Sequence, residues 1–494
     1  MKIVFDAARV CALVLMCAAS ASAATIPVAA GGDLQQAINR ALPGDTIALA
    51  PGATFTGNFT LPAKSGDAVI TVRTAGDSGL PGDGVRVSPA STGALAVIRP
   101  AGSGAAIRTA AGAHHWRLML LEVQGAGGGD LITLGDGSSA QTSLAQIPHD
   151  LVLDRLYIHG DAEQGQKRGI ALNSASTIVT GSYISDIKLV GQDSQAICGW
   201  NGPGPYAITN NYLEAAGENL MFGGSDPSVL DLVPADITVA DNYVTKPLSW
   251  RTERWSAKNL IELKNARRVV IARNVFENNW EGGQPGFAIV FTVRNQDGKC
   301  TWCQVDHVTF EQNVLRHSAA GIKILGWDNN HPSQQTQAIL IRNNLLYDID
   351  SKVWGGSGYF VAMTDGARDI TVDHNTVVQG HASGIVQIDG PPVLGFVFTN
   401  NLSTYGGYGI AGTGHGSGNS AIGAYLPGSD ITRNVLAGAP SASYPAGNSF
   451  PSSAQFATQF VSFEGGDYRL IASSPWRGAG TDGQDLGAPL GTVR

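Results

Sequence analysis

The sequence predicts an all-β fold, a right-handed parallel β-helix built as one solenoid domain. Three observations predict it. Eight segments repeat one pattern, a β-branched alternating run that reaches an Asn and then apolar residues: AITNNYL, ITVADNYV, VVIARNVF, VTFEQNVL, ILIRNNLL, ITVDHNTVV, FVFTNNLS and ITRNVL. Their asparagines, Asn211, Asn242, Asn274, Asn313, Asn344, Asn375, Asn401 and Asn434, recur at intervals of 26 to 39 residues. A second alternating strand precedes the Asn strand in each coil. Self-similarity at this period, with one to three short strands per unit, marks a stacked solenoid. The 63 glycines and 15% charged residues suit many short strands and turns.

The elements follow in chain order. Residues 1–23 have the form of a signal peptide. Lys2 and Arg9 give a basic start, Val10 to Ala19 is apolar, and Ala21-Ser22-Ala23 is a small-x-small cleavage pattern. The mature chain is expected to begin at Ala24 and to be secreted, periplasmic or extracellular. No later apolar run is long enough to span a bilayer. Residues 33–43 are expected to cap the first coil. Asp33 reads as a helix N-cap with Gln36 at the third position, Leu34, Ile38 and Leu42 share a face, and Pro43-Gly44 stops the helix. Coils are expected over about 46–436, and a C-terminal loop and cap over 437–494.

Within the coils, period-two alternation separates buried from outward positions. It puts Ile170, Leu172, Ile261, Leu263, Ile289, Phe291, Ile322 and Ile324 inside, and Glu262, Lys264, Thr292 and Lys323 outside. The repeating asparagines are read as structural. Stacked amides can bond from coil to coil, and Asn tolerates the left-handed backbone of a tight turn.

The formal charge of −8 argues against general nucleic-acid binding and leaves room for a local basic cleft. Removal of the signal leaves Cys198, Cys300 and Cys303. Cys300-Thr-Trp-Cys303 has neither the second pair of a zinc site nor a thioredoxin-like surround, so a loop disulfide or two unpaired thiols is expected. Cys198 reads as a packing residue.

The coils are unevenly decorated. Long insertions fall between about 198 and 356, and seven of the nine tryptophans lie there: Trp200, Trp250, Trp255, Trp280, Trp302, Trp327 and Trp354. Long loops on a rigid scaffold concentrate function. Flat aromatic faces suit sugar C–H groups. Trp200, Trp250, Trp255, Trp280 and Trp327, with Arg251 and His331 on flanking loops, are therefore the expected substrate contacts. The expected partner is a polysaccharide, acidic in character. Charges on the strand exteriors point to proton abstraction beside a carboxylate. Lys264 is the expected base, lowered in pKa by the like charge of Arg294. Arg294 is the carboxylate clamp or leaving-group partner, and Lys323 a second substrate contact. Glu262 and Glu218 would hold Ca²⁺ or orient the lysine.

The capping helix followed by Gly44-Asp45-Thr46-Ile47, the coil repeat and the Asn ladder together resemble the pectate-lyase-like right-handed parallel β-helix superfamily. That superfamily includes lyases, hydrolases, epimerases and adhesins, so the fold leaves activity open. A narrower stretch, Glu262-Leu-Lys264-Asn265-Ala, then Asn274, then Arg294-Asn295, is similar to the chondroitinase B/alginate lyase family. That resemblance implies a calcium-assisted lyase with Lys264 and Arg294 as catalytic groups and Glu262 as a calcium ligand. Asn295 stands where that family has His, and the 279–286 insertion is extra. The expected function is therefore a lyase acting on a uronate-containing polysaccharide by β-elimination. A glycoside hydrolase using two carboxylates, a C5-epimerase, and a non-enzymatic glycan-binding surface protein are the alternatives.

Overall fold

The computed structural model describes residues 23–491, so the signal-peptide reading lies outside the described residues. Among the described residues, three long sheets wrap around one core. The first runs over fourteen strands from Thr25–Val28 to Asp430–Thr432. The second runs over thirteen, from Thr54–Thr56 to Val435–Ala437, and the third over thirteen, from Phe59–Leu61 to Gly416–Ser417. Each strand pairs in parallel with its counterpart one coil away, except the last two strands of the third sheet, which are antiparallel. This is the parallel β-helix that the repeat predicts.

Alternation determines the interior. In the third sheet Ile132, Ile170, Ile197, Leu220, Ile261, Ile289, Ile322, Val361, Val386 and Ile410 stand in one register file through the core. All are at most 1% exposed. Each buried aliphatic side chain of this kind contributes about 1.5–3 kcal/mol through burial. All eight residues expected inside are buried.

The Asn ladder is present and runs one rung further than the repeat suggests. Asn242 illustrates it: its backbone N–H and its Nδ2 both donate to Asn274 Oδ1, at 2.9 Å each, and Nδ2 also donates to the Ile208 carbonyl of the preceding coil. The same set repeats from Asn211 to Asn434, and Asn434 then bonds to Asn448. The left-handed backbone, expected at the asparagines, falls instead on the residue before each. Asn210, Asp241, Arg273, Gln312, Asn343, His374, Asn400 and Arg433 have φ between 52° and 60°. The asparagine is selected for its amide, and the turn strain falls on its neighbour.

The helix Leu34–Arg40 is capped by Asp33, which accepts from the Gln36 N–H at 2.9 Å. It buries Leu34, Ala37 and Ile38 against the core. Leu42 lies past the helix end and is 56% exposed, so it is not part of that face as expected. At the other end, Ile422, Leu426, Tyr444 and Phe450 pack on the last coils. The final segment forms a strand, Asp467–Leu470, paired with Phe460–Ser462. It folds back along the outer face of the second sheet, where Phe456, Phe460, Tyr468 and Trp476 cover Leu345, Val378, Leu402 and Val435.

Candidate active site on the third sheet

The outer face of the third sheet carries the expected charges. Register sets Cys198, Met221, Glu262, Val290, Lys323 and Ala362 in one outward file. Glu262 and Lys323 are thus two coils apart, about 10 Å at the usual strand spacing. Lys264 follows the strand Ile261–Leu263. Its N–H donates to the Phe222 carbonyl at 2.7 Å, and its own carbonyl accepts from the Arg294 N–H at 2.9 Å. Gly223, at φ 95°, lies below it, where a Cβ would stand 2.8 Å from Lys264 Cβ. Only glycine fits that step.

Glu262 faces outward yet is 3% exposed. Its Oε2 accepts from Asn259 Nδ2 at 3.0 Å and its Oε1 from Thr292 Oγ1 at 3.2 Å, with Lys264 Nζ 3.7 Å from Oε1. Burial pushes the Glu262 carboxyl above the ordinary range. The Lys264 ammonium works against that shift and the Glu218 carboxylate adds to it.

A second polar row, of which the sequence reading singled out only Glu218, lies two residues before the first five members of the inward file: Asp130, Arg168, Gln195, Glu218 and Asn259. Arg168 donates to Asp130 Oδ1 at 3.0 Å and to Gln195 Oε1 at 2.9 and 3.1 Å, and Gln195 Nε2 donates to Glu218 Oε2 at 2.8 Å. Lys258 completes the row, 3.5 Å from Glu218 Oε1 and 2.6 Å from Asp193 Oδ1. Burial disfavours the Lys258 ammonium, but the Glu218 and Asp193 carboxylates outweigh it and hold its pKa above the ordinary value. Counting back two residues from the aligned apolar file is the signal that finds this row. Lys258 itself precedes the strand and carries no such mark.

Loops rise on both sides. On one side Trp250, Trp255, Trp280 and Trp354 pack with Ala216, Ala257 and Ala319, each Trp at most 8% exposed. This corrects the expectation that Trp250, Trp255 and Trp280 meet substrate: their rings are spent on one another and on the coil corners. Arg251 is likewise a strap. Its guanidinium lies over Trp354, 4.8 Å from the ring centroid, and donates to the Val353 carbonyl.

On the other side, Asp226 accepts from the N–H groups of Gln296, Asp297 and Lys299. Asp328 accepts from Asn295 and Asn330 N–H. The Cys300–Cys303 disulfide closes this loop, and Cys198 is the buried free thiol, its pKa pushed up to about 11 by burial. His331 sits on this wall against Gly298 and takes no part in the Glu262–Lys264 cluster.

Arg294 departs from expectation too. Its Nη1 is 2.6 Å from both Asp328 Oδ1 and Asn329 Oδ1, and its side chain is 25% exposed. Lys264 therefore has Glu262 as its charged neighbour, and Arg294 has Asp328. Lys323 remains half-buried in the outward file. Trp200 is half-buried, donating to the Gly137 carbonyl, with Arg168 5.0 Å from its ring centroid. Trp327 is 44% exposed and is the tryptophan here with the most ring surface open to a ligand.

Calcium was the cofactor expected at Glu218 and Glu262. The ion takes about six to eight oxygen ligands. Glu218 Oε1 and Asn259 Oδ1 are buried acceptors with no hydrogen-bond donor, and Glu262 adds a third group. Against this, Lys258 stands on one carboxylate and Lys264 on the other. Among the described residues no cluster of three or more His, Cys, Asp or Glu side chains is arranged to hold a metal. The donor set does not fit calcium.

No protein-family model matches the chain, and no curated protein matches it in sequence. Solved structures are similar in fold. One is the PL6 family alginate lyase AlyGC, with a TM-score of 0.56 and 16% identity, covering 87% of this chain and 53% of that one. Another is a mannuronic acid specific polysaccharide family 6 lyase from human gut microbiota, with a TM-score of 0.52 and 12% identity, covering 87% and 92%. The chain spans about half the length of AlyGC. At these identities the likeness is one of fold alone, a parallel β-helix.

Proposed function

We propose that this chain is a secreted polysaccharide lyase that cleaves a uronate-containing polysaccharide by β-elimination on the outer face of the third sheet. The observation that carries the reading is the Glu262–Lys264 pair, a buried carboxylate holding a partly exposed amine on a walled floor. The uronate C5 proton is weakly acidic, so its removal needs a base and a neighbouring positive charge. Burial raises the proton affinity of Glu262. Lys264 Nζ, 3.7 Å from Glu262 Oε1 and partly exposed, is the group placed to act as the base. That amine takes the C5 proton. The C–H electron pair becomes the C4=C5 double bond as the C4–O bond breaks. The departing oxygen takes a proton from solvent, and Lys264 returns its proton to solvent.

The two lyases with this fold act on alginate and mannuronate, which supports a uronate as the substrate class. The signal-like first 23 residues support secretion, and a polysaccharide is a substrate met outside the cell. The test is incubation of the mature chain with polymannuronate, polyguluronate, polygalacturonate, chondroitin and glucuronan. Ultraviolet absorbance from unsaturated ends is expected, and Lys264→Ala should lower its rate about 10²–10⁴-fold. Reducing ends without absorbance would assign a hydrolase. Exchange of the C5 hydrogen without cleavage would assign an epimerase.

A further inference from the structure

Lys258 has no part in the elimination as described, yet it stands at the floor beside the reacting pair. Its Nζ lies 2.6 Å from Asp193 and 3.5 Å from Glu218, and its side chain is 18% exposed. Glu218 beneath it is wholly buried. Lys264 Nζ in turn lies 3.7 Å from Glu262, so two lysines stand on two buried acidic side chains. What the floor presents to the groove is two lysine tips, Lys258 and Lys264, beside two buried acidic side chains, Glu218 and Glu262. Of these groups the Lys258 tip is 18% exposed, while Glu218 and Asn259 are buried beneath it. A ligand that brings a carboxylate meets that exposed tip. A uronate residue carries one.

We infer that Lys258 is the residue that receives the substrate's carboxylate and neutralises it, so that the site works without a divalent cation. The inference rests on the lyase reading for its catalytic meaning, but its binding content stands apart from it. The ammonium remains charged while it binds; it transfers no proton and forms no bond. Glu218 and Asp193 hold it in place, and Gln195 and Arg168 hold Glu218.

The test uses the intact mature chain and two probes, an oligomannuronate and its carboxyl-reduced neutral counterpart, with calorimetry as the readout. Lys258→Ala is expected to weaken binding of the acidic oligosaccharide about tenfold or more, to leave the neutral one unchanged, and to be rescued by Lys258→Arg. Calcium titrated alone is expected to give no binding heat, and a chelator no change in oligosaccharide affinity. Thermal melts of the variants confirm folding before binding is read. Equal affinity of Lys258→Ala and wild type for the acidic probe overturns the inference. So does stoichiometric calcium binding abolished by Glu218→Gln. If the wild type binds as described but forms no unsaturated ends, the lyase reading fails and the carboxylate site stands. If it cleaves only with calcium, the inference fails and the lyase reading stands.

Discussion

Lys264 Nζ lies 3.7 Å from Glu262 Oε1, two residues back along the same outward edge of the third sheet, and the carboxylate is the more buried of the two. Removing the charge while keeping the shape tests what this pairing does. Glu262→Gln should fold, keep the bond from Thr292, and lower the rate of unsaturated-end formation about tenfold to a hundredfold. A loss confined to KM would assign Glu262 to binding alone.

The ladder makes a stability prediction. Asn313 is fully buried, and its amide serves Asn274, Asn344 and the Ile271 carbonyl. Asn313→Ala leaves several buried groups unpaired and should cost about 2–4 kcal/mol in denaturant unfolding. Asn448→Ala, at the half-exposed end of the ladder, should cost less.

Tryptophans on the decorated belt should divide by burial. Trp280→Ala opens the Trp250–Trp255–Trp354 cluster and should cost about 3–5 kcal/mol. Trp327→Ala should change stability by less than about 0.5 kcal/mol and weaken oligosaccharide affinity. Thermal melts and calorimetric titration of the two variants separate these effects.

The C-terminal segment is tied to the coils by a titratable contact. A cavity of about 800 Å³ between them is lined by His374, Arg342, Arg469 and Asp482. Burial disfavours the His374 imidazolium, but Asp373, 2.9 Å from Nδ1, and Asp482, 3.5 Å from Nε2, outweigh it and hold its pKa above the ordinary value. A pKa raised on folding stabilises the protein below the unfolded value, about 6.5, and that contribution is lost as pH rises through the folded value. Wild type should therefore exceed His374→Gln in unfolding free energy at pH 5–6, and the difference should shrink toward pH 9. A difference independent of pH would leave the histidine with a packing role only.

The fold was legible because its signals are local and repeated. One strand's alternation decides which side chains face the core, and the asparagines recur coil after coil. The site was legible only in part, and the reason is physical. Glu262, Lys264 and Lys323 are set outward by the same alternation. What each outward charge touches is decided by residues a full coil away. Asp328 claims Arg294 across 34 positions, Glu218 claims Lys258 across a loop, and the tryptophans bury one another through corners that no periodicity marks. The lysines beside the two carboxylates expected to hold calcium were hidden for the same reason: Lys258 lies outside the repeat, and Lys264 was assigned another partner.

The most direct test of the central claim is the rate of unsaturated-end formation on polymannuronate by wild type, Lys264→Ala, and Lys264→Ala supplied with a small alkylamine. Wild type should cleave, the variant should lose about 10²–10⁴-fold in rate, and the amine should restore part of it. A Lys264→Ala enzyme that cleaves at the wild-type rate would contradict that claim.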